Sequence, residues 1–171
     1  AMTGEGQKID VSMLDCQVAV LENAISRYLV NGEVPGPIGN RHPSITPFEG
    51  FTASDGYVIV GAGNDRLWKK LCELLGKPEL TTDSRFVTNG DRTNNQKALK
   101  PILDSVFKTK TIDAWLVVLE EAGIPCAPIN TVDRVLKDPQ IMARDMVVEV
   151  EHPVAGKMHI PGVPIKMSQT P

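Results

Sequence analysis

Phe48-Glu49-Gly50-Phe51-Thr52-Ala53-Ser54-Asp55-Gly56-Tyr57-Val58-Ile59-Val60-Gly61-Ala62-Gly63 decides the fold class. Two apolar runs, Phe48 to Phe51 and Tyr57 to Val60, flank a polar turn. Asp55-Gly56 between such runs signals a hairpin, because glycine accepts positive φ. The stretch ends in Gly61-Ala62-Gly63 ahead of a helix, which is how a dinucleotide-binding turn opens. That turn needs a third glycine so that the helix can pack close to its strand, and Arg66 stands there instead. The glycines are read as turn residues and the strand as half of an antiparallel pair.

Downstream, Asn64 caps a helix carrying Leu67, Trp68, Leu71, Leu74 and Leu75, which Gly76 ends and Pro78 keeps from resuming. A helix over about Asp91 to Phe107 turns Leu99, Ile102, Leu103, Val106 and Phe107 inward, with a kink or a break expected at Pro101. Thr111 caps the next, which carries Trp115, Leu116, Val118 and Leu119 and ends at Gly123. Cys126 to Ile129 reads as a strand and Thr131 to Leu136 as a short helix. Asp138-Pro139 opens a second short helix. Met146 to Glu151 and Lys157 to Ile160 form a hairpin around Pro153–Gly156. Helices interleaved with antiparallel hairpins, without a strand–helix–strand rhythm, make the class α+β.

Upstream, Ser12 and Asp15 open a helix expected to run unbroken to about Val30. Leu14, Val18, Leu21, Ile25 and Tyr28 place one apolar stripe along it, and Asn31-Gly32 stop it. Four prolines and three glycines between Gly32 and Pro47 exclude a helix or a central strand. Loops of that length are usually functional or connecting. The chain opens on Ala1 before Met2, the pattern a cleaved tag leaves, and Thr3–Gln7 run at once into the helix. The expectation is a piece of a longer protein.

Composition narrows the function classes. The 171 residues are 42% hydrophobic and 23% charged, which suits one folded domain with a short extra segment. A net charge of −3 carries no basic footprint for nucleic acid. No run approaches the roughly 18 apolar residues a membrane helix needs. Cys16, Cys72 and Cys126 match no zinc or redox spacing, and unpaired cysteines fit a reducing cytoplasm. His42, His152 and His159 are too scattered for a metal, so none is expected. Gly-x-Ser-x-Gly is absent, and no other complete catalytic constellation stands out. Arg41 and His42 alone sit in the glycine-proline loop. There a guanidinium, an imidazole and backbone N–H groups can meet an anion. The same residues also suit a rigid linker with a polar surface.

The order of motifs adds to this. Gly4-Glu5-Gly6-Gln7-Lys8-Ile9-Asp10-Val11-Ser12-Met13-Leu14-Asp15 resembles a stretch of the class III CoA-transferase family. That family holds formyl-CoA and carnitine CoA-transferases and the α-methylacyl-CoA racemases. Gly39-Asn40-Arg41-His42-Pro43, with Thr46-Pro47-Phe48 and Phe51, resembles its glycine-containing active-site loop and the segment after it. Ser54–Ile59, Asp83-Ser84-Arg85-Phe86 with Asn89 and Arg92, Gly123–Ile129, Asp138-Pro139-Gln140, His152-Pro153 and Gly162-Val163-Pro164 follow in the family's order.

The resemblance implies a division of the chain. Residues 1–31 would be a linker helix region of a large domain that is not in this chain, and 32–47 a loop. Residues 48–165 would be the small α+β domain, and 166–171 the start of a returning linker. It also implies an aspartate, upstream of this chain, that attacks an acyl-CoA and passes CoA to a carboxylic acid through aspartyl intermediates. No permanent cofactor is implied; the CoA thioester is substrate. Gly39, Asn40, Arg41 and His42 take the place of substrate-binding and water-shielding residues. The parent enzyme would be a cytoplasmic homodimer, and this chain alone inactive. The alternatives are a racemase-like enzyme, which would remove an α-proton instead, and a non-catalytic interaction module.

Overall fold

A computed structural model describes Gly6 and residues 8–167, and its chain divides into two compact units, 1–39 and 40–171. The first holds α1 (Met13–Val20) and α2 (Glu22–Asn31). Ser12 caps α1, its hydroxyl accepting from the Asp15 N–H, and Gly32 at φ 72° closes α2. The uninterrupted helix expected here is not formed. At Leu21 the N–H reaches back three residues to Val18 instead of four, which tightens the chain and separates the two helices. Val18 and Val20, both β-branched, lie just before the break and lose rotamer freedom in a helix. Neither helix has a buried residue.

In the second unit β1 (Phe48–Ala53) and β2 (Gly56–Gly61) form the expected hairpin, Phe48 opposite Gly61 and Ala53 opposite Gly56. After α3 (Asp65–Leu74) come a 3₁₀ turn at Pro78–Thr81, α4 (Asn89–Asn94), α5 (Gln96–Phe107) and α6 (Ile112–Glu121). Then β3 (Cys126–Pro128) joins the free side of β2, also antiparallel, giving the order β1-β2-β3. The chain goes on through α7 (Val132–Val135) and α8 (Pro139–Ala143) to a separate hairpin of β4 (Val147–His152) and β5 (Gly156–Pro161). The fold is α+β.

Alternation along β1 and β2 sends Phe51, Ala53, Val58 and Val60 to one face, where all are buried. Onto them fold Trp68, Leu71 and Cys72 of α3, Leu99, Leu103 and Phe107 of α5, and Ile112, Trp115 and Leu119 of α6. Glu49 shares that face at the edge of the core, 3% exposed. Its carboxylate accepts from Gln96 Nε2 at 3.0 and 3.1 Å, with Lys100 Nζ at 3.9 Å. Burial of an ionised carboxylate is tolerated on such terms.

Helix α5 runs through Pro101 without a break, and the interruption of the expected helix falls six residues earlier, at Asn95. Asn95 donates its side-chain amide to the carbonyls of Asp91 and Arg85, which offers the backbone a local alternative to helix. Pro101 sits on the exposed side of α5.

At the base of the second hairpin Gly162 is buried, and its N–H donates to the Met146 carbonyl at 3.0 Å. A Cβ there would collide with the Asp145 carbonyl oxygen. Gly162→Ala is therefore expected to cost about 1–3 kcal/mol, as overpacking against backbone does. A urea midpoint equal to wild type would refute this.

Candidate functional site

The glycine-proline loop reaches the second unit at Asn40. Gly39, just before it, has φ 72°, a left-handed conformation that costs glycine little. Asn40 turns inward, and its Oδ1 accepts from the Gly50 N–H at 3.3 Å. That approach depends on residue 50 having no side chain, since a Cβ there would stand 2.7 Å from Asn40 Nδ2.

Arg41 is half-buried and has neither a hydrogen bond nor an ion pair with any of the described residues. His42 is held at three points. Its N–H donates to the Phe48 carbonyl at 2.8 Å. Its ring lies parallel to that of Phe48, 5.6 Å between centroids and 2° between planes. Its Nδ1 accepts from the Ser44 N–H at 3.2 Å. A backbone N–H can only donate, so the neutral ring carries its proton on Nε2, which has no partner among the described residues.

Thr46 and Pro47, joined by a cis peptide bond, are buried. Behind them stands α4, its start fixed by a capping box in which Thr88 and Asp91 satisfy each other's backbone N–H. That reciprocal bonding lowers the Asp91 carboxyl below its ordinary range. Asn89, Arg92 and Thr93 project from this short helix onto the loop, as spacings of three and four allow. Asn89 pairs with Ser44 and Thr46. Thr93 donates its hydroxyl to that of Thr46 at 3.1 Å. Arg92, fully buried, donates Nε to the Thr46 carbonyl at 2.8 Å and Nη2 to that of Gly63 at 2.8 Å. Its Nη1 serves the carbonyls of Phe86 and Val87, and its guanidinium lies over the Trp68 ring.

The sheet's outer face carries an apolar groove of about 480 Å³ beside this loop, lined chiefly by Ile45, Phe48, Ile59, Gly61, Leu67 and Pro125. Cys126 reaches its edge, and partial burial pushes that thiol's pKa up. Cys72, in the core, is pushed by burial to about 12 and is no nucleophile. Gly61-Ala62-Gly63 follows an antiparallel strand, so no dinucleotide turn forms, and Gly63 instead lets Ile45 come close. Among the described residues no cluster of His, Cys, Asp or Glu could hold a metal. None of their helices is long and apolar enough to cross a membrane.

Of the residues singled out from sequence, Asn40, Arg41 and His42 lie on one clasped loop: Asn40 Oδ1 and His42 Nδ1 accept bonds from within the second unit, and the Arg41 guanidinium has no polar partner among the described residues. The clasp itself is not legible in the sequence, where Asn89 and Arg92 stand only as members of the Asp83–Arg92 motif. The capping pattern Thr88-x-x-Asp91 was the local signal that an ordered turn of helix starts there.

Residues 1–171 match the family model described as CoA-transferase family III. The chain is 41% identical over 166 residues to acetyl-CoA:oxalate CoA-transferase of Acetobacter aceti, spanning 97% of this chain and 41% of that protein. It is 37% identical over 167 residues to succinyl-CoA:glutarate CoA-transferase of Homo sapiens, spanning 98% and 38%. The crystal structure of a CAIB/BAIF family protein from Brucella suis matches with a TM-score of 0.79 at 40% identity, covering 98% of this chain and 43% of that one. The chain thus spans about two-fifths of the length of these curated relatives. The order of sequence motifs, the α+β fold and the match along the whole chain agree: this chain belongs to CoA-transferase family III.

Proposed function

We propose that this chain is the loop-bearing α+β portion of an enzyme that moves CoA from an acyl-CoA thioester to a carboxylic acid. The observation that carries the reading is the loop itself. It is clasped from behind by α4, while Arg41 and the Nε2–H of His42 have no partners among the described residues. The names of the relatives, with oxalate and glutarate as acids, support the same reading and put dicarboxylates first among acceptors.

The nucleophile in this proposal is an aspartate outside the chain. Its carboxylate oxygen attacks the thioester carbonyl and the C–S bond breaks, leaving a mixed anhydride and CoA thiolate. The thiolate attacks the aspartyl carbonyl and releases the first acid, giving an aspartyl-CoA thioester. The acceptor carboxylate attacks that thioester and expels the thiolate, which then takes the new acyl group and frees the aspartate. Both intermediates hydrolyse readily, so water must be excluded. The loop serves as a cover, Arg41 as a fork for a carboxylate, and the Nε2–H of His42 as a donor to a developing oxyanion. Gly39 and Asn40 shape the loop's entry. The parent enzyme is proposed to be a cytoplasmic homodimer, with this chain inactive alone.

The test is CoA exchange from acetyl-CoA and succinyl-CoA to oxalate, glutarate and monocarboxylic acids. The uncut gene product is assayed beside this chain. Exchange by the long protein alone is expected, with Arg41→Ala raising the KM for the acid about tenfold or more, the scale of a lost charge-assisted pair. Deuterium uptake at the α-carbon of a branched acyl-CoA, without exchange, would replace the reading with a racemase. No reaction of either kind would leave a non-catalytic module.

A further inference from the structure

An asparagine side chain carries a donor group and an acceptor group on a single plane, as a peptide unit does. Asn89, the first residue of α4, spends both on the two sides of Ile45. Its Oδ1 accepts from the Thr46 N–H at 2.9 Å, and its Nδ2 donates to the Ser44 carbonyl at 2.8 Å. Both partners are backbone groups of fixed sense, so the orientation of the amide is determined. Ser44, held at its carbonyl, donates its own N–H to His42 Nδ1 at 3.2 Å. The helix is thus connected to the imidazole by two consecutive hydrogen bonds, with Ser44 between them.

We infer that Asn89 is the positioning residue for His42. It fixes Ser44, and Ser44 fixes the tautomer and direction of the ring, so that an N–H and not a bare nitrogen points outward from the loop. The stacking on Phe48 sets the plane of the ring but does not choose between its two nitrogens. That choice rests on Ser44. Asn89 makes no use of the His42 ring itself, so it acts only through the loop. The consequence for CoA transfer rests on the function proposed above; the control of the ring does not.

The chain carries its own controls. His152 Nδ1 accepts from the N–H groups of Val154 and Ala155, at 3.2 and 3.1 Å, within a turn that Asn89 does not touch. The His159 side chain makes no hydrogen bond among the described residues and reports a ring without an internal hydrogen bond. In the ¹⁵N-labelled chain, long-range ¹H–¹⁵N spectra at about pH 8.5, roughly two units above the reference value for imidazole, distinguish the tautomers.

Asn89→Ala is expected to move the His42 ring nitrogens toward the values of His159 and to leave His152 in place. Asn89→Asp keeps an acceptor for Thr46 but sets an oxygen against the Ser44 carbonyl, and is expected to move His42 in the same direction. If the alanine variant does not fold, the near-isosteric aspartate variant decides. His42 nitrogens unchanged in the folded variants would overturn the inference. In the uncut protein Asn89→Ala is expected to lower kcat about ten- to a hundredfold, the effect of a misplaced group, with KM nearly constant. A shifted His42 together with a wild-type protein that transfers no CoA would leave the positioning in place and remove the proposed function instead.

Discussion

Replacing Arg92 with methionine is expected to lower the unfolding free energy by about 3–5 kcal/mol, the usual result of removing one side of a buried charged network. Methionine keeps an apolar stem but none of the donors, and it leaves no cation over the Trp68 ring. The carbonyls of Thr46, Gly63, Phe86 and Val87 then lose the group that meets them, and unmet buried acceptors cost about 1–3 kcal/mol each before relaxation. The ion pair with Asp65, at 3.0 Å, adds little, because that carboxylate is largely exposed and screened. Arg92→Lys is not expected to rescue. A lysine presents three donors from one point and cannot span acceptors that a planar fork reaches in four directions. Urea denaturation checks both variants, and a lysine variant with the wild-type midpoint would refute the network reading.

Phe107→Ala is expected to cost about 3–5 kcal/mol, the range for emptying a buried phenylalanine site. Phe107 ends α5 and has no exposed surface. Its ring lies 4.7 Å from that of Phe51, nearly parallel, and 4.9 Å from that of Trp115, tilted. It therefore couples the sheet to α6, and its carbonyl accepts from Trp115 Nε1 at 2.7 Å. Few neighbours can collapse into a space bounded by two other rings. Phe107→Leu, which keeps much of the volume, is expected to lose less than half as much. Thermal melts followed by tryptophan fluorescence measure both, and a loss below about 1 kcal/mol for alanine would contradict this packing.

What was legible in the sequence was local. The caps at Ser12, Asn64, Thr111 and Asp138 act within three residues of themselves, and all four accept the bonds their chemistry suggests. The hairpins are set by glycine and by alternation, and both formed. Helix interruptions were harder to place. Pro101 was the strongest breaker by rule, yet α5 carries it on an exposed side and the break falls at Asn95, where side-chain amide bonds compete with the ladder. At Leu21 no breaker is present at all, and a pair of β-branched residues in helices without buried residues sufficed. In the candidate site, the loop was visible from its prolines and glycines. Its clasp was not, because Asn89 and Arg92 act on residues more than forty positions away. No spacing rule connects them; only the folded chain does. Of the Gly4–Asp15 stretch that resembles the family, Gly4, Glu5 and Gln7 lie outside the described residues, as do residues 1–3 and 168–171 of the chain.

The inward turn of Asn40 onto Gly50 has a bearing on how this sequence can drift. Any side chain at position 50 competes for the volume that the carboxamide at position 40 already fills. Position 50 is therefore not free to gain a side chain unless the carboxamide at position 40 gives way. An alanine at 50 requires the Asn40 carboxamide to swing away or a shorter residue at 40, and the lost bond to the residue 50 N–H then has to be made by something else, most simply water. Across a collection of descendants a side chain at 50 should follow a change at 40 and not precede it. Substitutions at either one should depend on the state of the other in laboratory evolution as well.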